Sequence, residues 1–332
     1  MEKTTSTSLP AFKFTPWLKT VIWGGDRIAD FKHLSDAQPM IGESWEISAI
    51  NGMESIVSGG PDNGLTLSQL TKKYGTRLIG DTAGPDGKFP LIIKFIDARN
   101  DLSVQVHPGD EMARTLHNSP GKTETWYIID AEPGATILNG FSRDFNPDDY
   151  EKAVNNGSII DAILRHPSSP GNAFFIPAGR IHAIGAGNFL IEVQRASDVT
   201  YRVFDYNRID TDGSKRPLHV ENARKALDFK AATDDNLCAT TTCEDTGIHP
   251  IVNCPYFNVK RIAVEGRTAI DTSNIDSFIS VSCIAGDLNI TVDTFPKMLL
   301  RQGETALIPA TAQRVLFRGN AIAITASVPA KQ

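Results

Sequence analysis

Between Phe89 and Tyr127 the chain passes from one strand pattern to another. Phe89 to Ile96, FPLIIKFI, is nearly all apolar, which predicts a strand buried on both faces. Ser103 to Pro108 alternates instead, so Gln105 and His107 share one face while Val104 and Val106 share the other. Gly42 to Ser48 has the same alternation, with Ser44, Glu46 and Ser48 opposite Trp45, Ile47 and Ala49. In Thr200 to Tyr206, Tyr201, Val203 and Asp205 separate from Arg202 and Phe204. Glu124 to Ile129 is predicted to pair with Ala135 to Leu138 through an Ala131-Glu132-Pro133-Gly134 turn. Further strands are expected at Ala173 to Pro177, His182 to Ile184 and Phe189 to Gln194.

Helical spacing is confined to short segments. One starts at Thr66, with a side-chain cap, and ends near Gly75. DEMARTLHN is expected to be capped by Asp110, and DDYEKAVNNG to begin at Asn146-Pro147. SIIDAILRH and His219 to Phe229 complete the set. Gly80 to Lys88 reads as a surface turn cluster. The polar stretch Lys230 to Gly247 then separates this part from residues 248 to 330, which are almost all strand and turn. Gly171-x-x-x-x-Ile176-Pro177-Ala178 recurs as Gly303-x-x-x-x-Ile308-Pro309-Ala310, and Gly187-Asn188 as Gly319-Asn320. Glycine and proline at matched positions reflect matched turns. In this register Arg314 stands where the first copy has His182. The expected fold is therefore mainly β, with two related units: residues 1-235, which carry inserted helices, and residues 236-332, which are nearly bare.

Composition narrows the function classes. A chain of 332 residues with net charge −6 and no basic run does not suit a nucleic-acid surface. Local positive charge for a small anionic substrate remains compatible with it. No apolar run approaches the ~20 residues that span a bilayer, and MEKTTSTSLPAFKF lacks the apolar centre of a signal peptide. Cys238, Cys243, Cys254 and Cys283 show neither C-x-x-C nor zinc-finger spacing and are expected as free thiols. A cytoplasmic protein without membrane contact is expected.

The chemistry gathers in Asp101 to Tyr127. An amide oxygen and an imidazole facing one way, at Gln105 and His107, make half of a metal site, and Glu124 adds a carboxylate. His182 is the best candidate for a fourth ligand. It follows Gly171-x₅-Pro177-Ala178-Gly179-Arg180-Ile181, which resembles the second motif of the cupin superfamily of metal-holding β-barrels (jelly rolls). Gln105-x-His107 stands where the first cupin motif usually has His-x-His. One amide oxygen, two imidazoles and one carboxylate suit zinc and leave room for water or substrate. His33, His117, His166, His219 and His249 lack such context and are expected at surface or capping positions.

The run FPLIIKFIDARNDLSVQVHPGDEMA, then GKTETWYII and IPAGRIHAIGAGNFLIEVQRASDVTYRVFDYNR, resembles the type I mannose-6-phosphate isomerases, as do IWGG and GESWEIS. The resemblance runs over essentially the whole chain, at the length of the family's shorter bacterial form. It implies a single zinc ion held by Gln105, His107, Glu124 and His182. Arg202 is implied as the catalytic arginine and Lys122 as a lysine at the rim of the metal site, binding phosphate or carrying a proton. The implied reaction interconverts mannose 6-phosphate and fructose 6-phosphate through a cis-enediolate, in a monomer or weak homo-oligomer. A non-catalytic sugar-phosphate sensor and an iron dioxygenase are the alternatives. The proton-transferring base is left open among Glu46, Glu192, Asp205 and a zinc-bound hydroxide.

Overall fold

The apolar run forms the strand Leu91–Ala98, and every residue in it is buried. In the computed structural model, which describes residues 8–81, 87–210, 213–232, 239–240 and 246–329, this strand lies inside a seven-stranded sheet. The order is Ala239–Thr240, Asn172–Ile176, Glu124–Ala131, Asn188–Arg195, Leu91–Ala98, Trp17–Gly25 and Ile41–Ile47. A five-stranded sheet faces it: Tyr201–Phe204, Val104–Val106, His182–Ile184, Thr136–Phe141 and Ile163–Pro167. The third sheet has eight strands, built around the long antiparallel set Asn258–Asp271, Arg314–Ser327 and Ile279–Val292. The fold is mainly β and of the cupin jelly-roll kind, with open sheets packed face to face instead of closed cylinders.

Strand alternation sorts the cores. Trp126, Ile128, Phe174, Ile176 and Leu190 of the seven-stranded sheet meet Ile137 and Ile184 of the five-stranded sheet. The outer face of the five-stranded sheet, with Val104, Val106, Ala183, Tyr201 and Val203, packs under Tyr150, Val154, Ile159 and Ala223. Those four residues belong to the inserted segments Tyr150–Asn156, Ser158–Ala162 and Val220–Ala226, so the helical insertion is a cover for that face. On the other side of the seven-stranded sheet, Leu91, Ile93, Phe95, Tyr127 and Ile191 share one core with Phe257, Val259, Phe278 and Leu307 of the C-terminal part. The first strand, Phe12–Thr15, pairs with Thr305–Ile308, so the N-terminus joins the eight-stranded sheet.

The repeat is visible in three dimensions. Ile176 and Ile308 each end a strand before Pro-Ala, and His182 and Arg314 each start the strand that follows. Gly171 and Gly303 both have positive φ, at 91° and 79°, as the matched turns require. The Arg314 side is exposed.

Four local expectations are corrected. Glu124–Ala131 does not pair with Thr136–Phe141. It takes Asn172–Ile176 and Asn188–Arg195 as neighbours, and the turn at 131–135 carries the chain across to the other sheet. Trp126, Ile128 and Ile137 are then buried against one another face to face, which edge pairing would not allow. SIIDAILRH is only a short 3₁₀ turn, Ser158–Ala162, followed by the edge strand Ile163–Pro167. The β-branched Ile163 and its neighbours complete the five-stranded sheet there. The helix expected at Asn146-Pro147 begins at Tyr150, after a turn in which the Asp148 amide donates to the Asn146 side chain. Asp110 is the first residue of Asp110–His117, with Gly109 at the cap, because its carboxylate turns outward to Gly121 and Arg195. Thr66 caps Leu67–Tyr74 as expected, with Gln69 completing a capping box.

Cys254 and Cys283 are free, Cys283 in the core, while Cys238 and Cys243 lie outside the described residues. The turn cluster at 80–88 and the polar stretch at 230–247 also fall partly outside them. No helix among the described residues is long and apolar enough to cross a membrane.

The shared core makes the two parts one cooperative unit. Phe89 and Phe278 pack with ring centroids 4.4 Å apart, and both are buried. Phe278→Ala is expected to lower the unfolding free energy by about 3–5 kcal/mol. Denaturant unfolding followed by fluorescence and by circular dichroism should still give a single coincident transition.

Candidate metal centre

His107, Glu124 and His182 arrive from different elements and meet between the two facing sheets. His107 follows the strand Val104–Val106, Glu124 opens Glu124–Ala131, and His182 opens His182–Ile184. Their ligand-type atoms all lie within 4.8 Å of one another. Glu124 Oε2 is 3.4 Å from His107 Nε2, and Oε1 is 3.5 Å from His182 Nε2. The two imidazole centroids are 4.7 Å apart. All three side chains are closed off from solvent.

The imidazoles are oriented from behind. His107 Nδ1 lies 3.1 Å from the Val199 carbonyl, and His182 Nδ1 lies 2.9 Å from the Arg180 carbonyl. A carbonyl only accepts, so each Nδ1 carries the proton and each Nε2 turns a lone pair toward Glu124. Burial pushes the His182 imidazole down to about 3, with further lowering from His107 and Lys122. Burial and Lys122 lower His107 as well. Burial alone would raise Glu124, but the Lys122 ammonium outweighs it and holds the carboxyl well below the usual range. Glu124 Oε1 and His182 Nε2 have no hydrogen-bond partner although both are buried. Two such acceptors, side by side and neutral or anionic, form a receptacle for a cation, which is the fit a metal requires.

Gln105 and Arg202 come to the same place by strand register. Arg202 pairs with Gln105, and Gln105 with His182, across three adjacent strands. Residues directly opposite one another in antiparallel strands share a face. Gln105 and Arg202 therefore look the same way as His182. Arg202 donates from Nη1 to the Pro217 carbonyl at 2.8 Å, and its Nε has no partner. Its backbone amide donates to His219 Nδ1 at 3.1 Å. His219 occupies the cap position of Val220–Ala226, and His117 bonds the Tyr201 hydroxyl at 2.7 Å. Asp205 is not the partner of Arg202, because Arg208 and Arg216 both engage it.

Lys122 is buried, not at the rim. Its Nζ contacts Glu124 Oε2 and lies 3.1 Å from His107 Nε2. The backbone at Lys122 folds back under Pro108, whose carbonyl accepts from the Lys122 amide at 3.2 Å.

Beside the centre runs a second ionic row that the polarity pattern concealed. Trp45, Lys94, Glu192 and Trp126 stand opposite one another across four strands. Lys94 Nζ lies 3.5 Å from Glu43 Oε2, 3.4 Å from Glu192 Oε1 and 4.0 Å from the Trp45 ring centroid. The indoles of Trp45 and Trp126 donate to Glu43 and Glu192 at 2.8 and 2.9 Å. Trp126 also packs edge-on to His182, with ring centroids 5.5 Å apart. A lysine within a strand buried on both faces must find anionic partners, and that is the signal by which FPLIIKFI could have disclosed this row.

Residues 11–137 match the family model for the phosphomannose isomerase type I catalytic domain, and residues 248–328 match the cupin domain of mannose-6-phosphate isomerase. The chain is 34% identical over 282 residues to mannose-6-phosphate isomerase ManA of Bacillus subtilis, covering 85% of this chain and 87% of that protein. The chain belongs to the type I phosphomannose isomerases. A relative from Streptococcus mutans, also named mannose-6-phosphate isomerase, is 32% identical over 90% of this chain and 92% of its own length. The crystal structure of the mannose 6-phosphate isomerase from Bacillus subtilis superposes with a TM-score of 0.83 at 29% identity, covering 96% of this chain and 99% of that one. For this type I isomerase chain the match thus extends to both sheets around the His107–Glu124–His182 cluster and to the C-terminal sheet.

The ionic row sets an acid limb on stability. Burial opposes the charge on Glu43, yet Lys94 and Lys19 outweigh it and hold the carboxyl down to about 2. A depressed native value means that this stabilisation is present above the ordinary carboxylate range and is lost as pH falls through about 2. Glu43→Gln is expected to be less stable at neutral pH, with a flatter stability curve between about pH 4.5 and pH 2. Urea titrations at each pH measure both.

Proposed function

We propose that this chain is a zinc-dependent aldose–ketose isomerase that interconverts mannose 6-phosphate and fructose 6-phosphate through a cis-enediolate. The observation that carries the reading is the buried His107–Glu124–His182 cluster with Lys122 against it, in a chain of this family. Gln105, His107, Glu124 and His182 are the proposed zinc ligands. A bound zinc supplies Lewis acidity to the substrate's carbonyl and neighbouring hydroxyl oxygens. Within this reading, residues 1-235 hold the reacting centre and residues 236-332 support it.

The remaining roles belong to the protein's own groups. Lys122 brings ammonium N–H donors into a site shut off from water, where negative charge develops on substrate oxygen. Arg202, permanently charged and turned toward the same space, is proposed to hold the enediolate or the phosphate. Proton transfer between C1 and C2 needs a base with a spare oxygen. Glu46 is engaged by Lys32 and Ser44, and Asp205 by two arginines. Glu192 keeps Oε1 without a hydrogen bond, with only the Lys94 ammonium 3.4 Å away, and burial followed by repulsion from Glu124 raises its carboxyl. A raised carboxyl is suited to pick up and return a proton, so Glu192 is the proposed base.

Purified protein loaded with zinc is expected to convert mannose 6-phosphate to fructose 6-phosphate, and absence of turnover would sink the reading. His182→Ala should lose both bound zinc, by elemental analysis, and activity; retained zinc with normal turnover would refute the ligand assignment. Iron in place of zinc, after purification without added metal, would favour the dioxygenase. Glu192→Gln is expected to keep its zinc while kcat falls about 10²-fold or more.

A further inference from the structure

One side chain of the C-terminal part, Tyr256, bonds Asp110 beside the turn that carries Lys122. Tyr256 lies in the turn between Gly247–Asn253 and Asn258–Asp271 and is partly buried. Its hydroxyl donates to Asp110 Oδ2 at 3.2 Å. The Arg195 guanidinium lies 4.0 Å from the Tyr256 ring centroid and pairs with Asp110 Oδ1 at 2.7 Å. That same Oδ1 accepts the Gly121 amide at 3.0 Å, and the Arg195 amide donates to the Thr123 carbonyl at 3.1 Å. The backbone on both sides of Lys122 is thereby tied to a single cluster of Tyr256, Arg195 and Asp110. The turn has no slack, since a Cβ on Gly121 would lie 2.7 Å from the Asp110 nitrogen.

We propose that Tyr256 is a positioning residue for Lys122, acting through Asp110 and the Gly121 amide. None of the three clamp side chains supplies a ligand atom to the His107–Glu124–His182 cluster. Lys122, in contrast, has its backbone in the clamped turn and its Nζ on Glu124 and His107. Loosening the clamp shifts the ammonium and leaves His107, Glu124 and His182 in place. The C-terminal sheet is on this view part of the frame of the reacting centre. The inference rests on the role proposed above for Lys122.

The test uses the full chain, with kcat and KM for mannose 6-phosphate, bound zinc per chain, and amide hydrogen exchange across 119–124. Tyr256→Phe keeps the ring under Arg195 and loses only the hydroxyl bond; kcat should fall about threefold, and about tenfold in Tyr256→Ala. KM and zinc content should hold, and the Gly121 amide should exchange faster in both variants. In a Lys122→Met background, Tyr256→Ala should cost nothing further, because the two changes act on one element. Unchanged kcat in Tyr256→Ala overturns the proposal, as does the same fold-loss with or without Lys122, or a joint loss of zinc and kcat. If the wild type does not turn over mannose 6-phosphate, the functional reading falls by itself. Exchange at Gly121 then decides the clamp alone, with unchanged exchange overturning it.

Discussion

Glu124 is a carboxylate with no access to solvent, and the centre is built around keeping it charged. An isolated ion at that depth is too costly to maintain, so it must be surrounded by cations and donors or lose its charge. Lys122 supplies that surrounding on one side, with its ammonium against Glu124 Oε2. On the other side its negative charge bears on Glu192, whose carboxyl is raised by burial and, after that, by this repulsion. Lys94 then balances Glu192 and Glu43 together, and the indoles of Trp45 and Trp126 donate to Glu43 and Glu192. From one buried charge there follows a chain of partners reaching across four strands.

The sandwich makes such a chain feasible. At one end the two facing sheets close over tryptophan, phenylalanine and isoleucine, which exclude water. At the other end the same inward faces carry Gln105, His182 and Arg202 from one sheet, and Glu124, Glu192 and Lys94 from the other. Low polarizability around the ions strengthens each contact and penalises each unsatisfied atom. Second partners are found in backbone carbonyls, as at Val199 and Arg180. The inserted helices and the eight-stranded sheet have no ligand atoms in the cluster. They cover the outer faces, so that the inner faces can be given over to polar groups without unfolding the sheets.

Much of this was legible in the residues. Period-two alternation placed Gln105 and His107 on one face, and the doubly apolar run placed Leu91–Ala98 in the middle of a sheet. The repeated glycine and proline positions disclosed two related units before either was visible. Thr66 announced its helix through a capping box. Local rules sufficed in these cases because the deciding forces, φ preference, side-chain period and cap hydrogen bonds, act within a few residues.

Other features depend on contacts between residues far apart in the chain. Alternation cannot say which strands become neighbours, so the turn after Glu124–Ala131 read as a hairpin when it is a crossing between sheets. Nor can it say how deeply a turn lysine is buried, and Lys122 is inside because Pro108 and Asp110 fold over its backbone. Lys94 disappeared into an apolar run whose one charge acquires meaning only beside Glu43 and Glu192. The chain by itself offered the candidate donors, Gln105, His107, Glu124 and His182, and the strands beside them. Tertiary structure alone decided that His107, Glu124 and His182 share one dry space with Lys122, since burial and charge balance are properties of the assembled sheets and of no single segment.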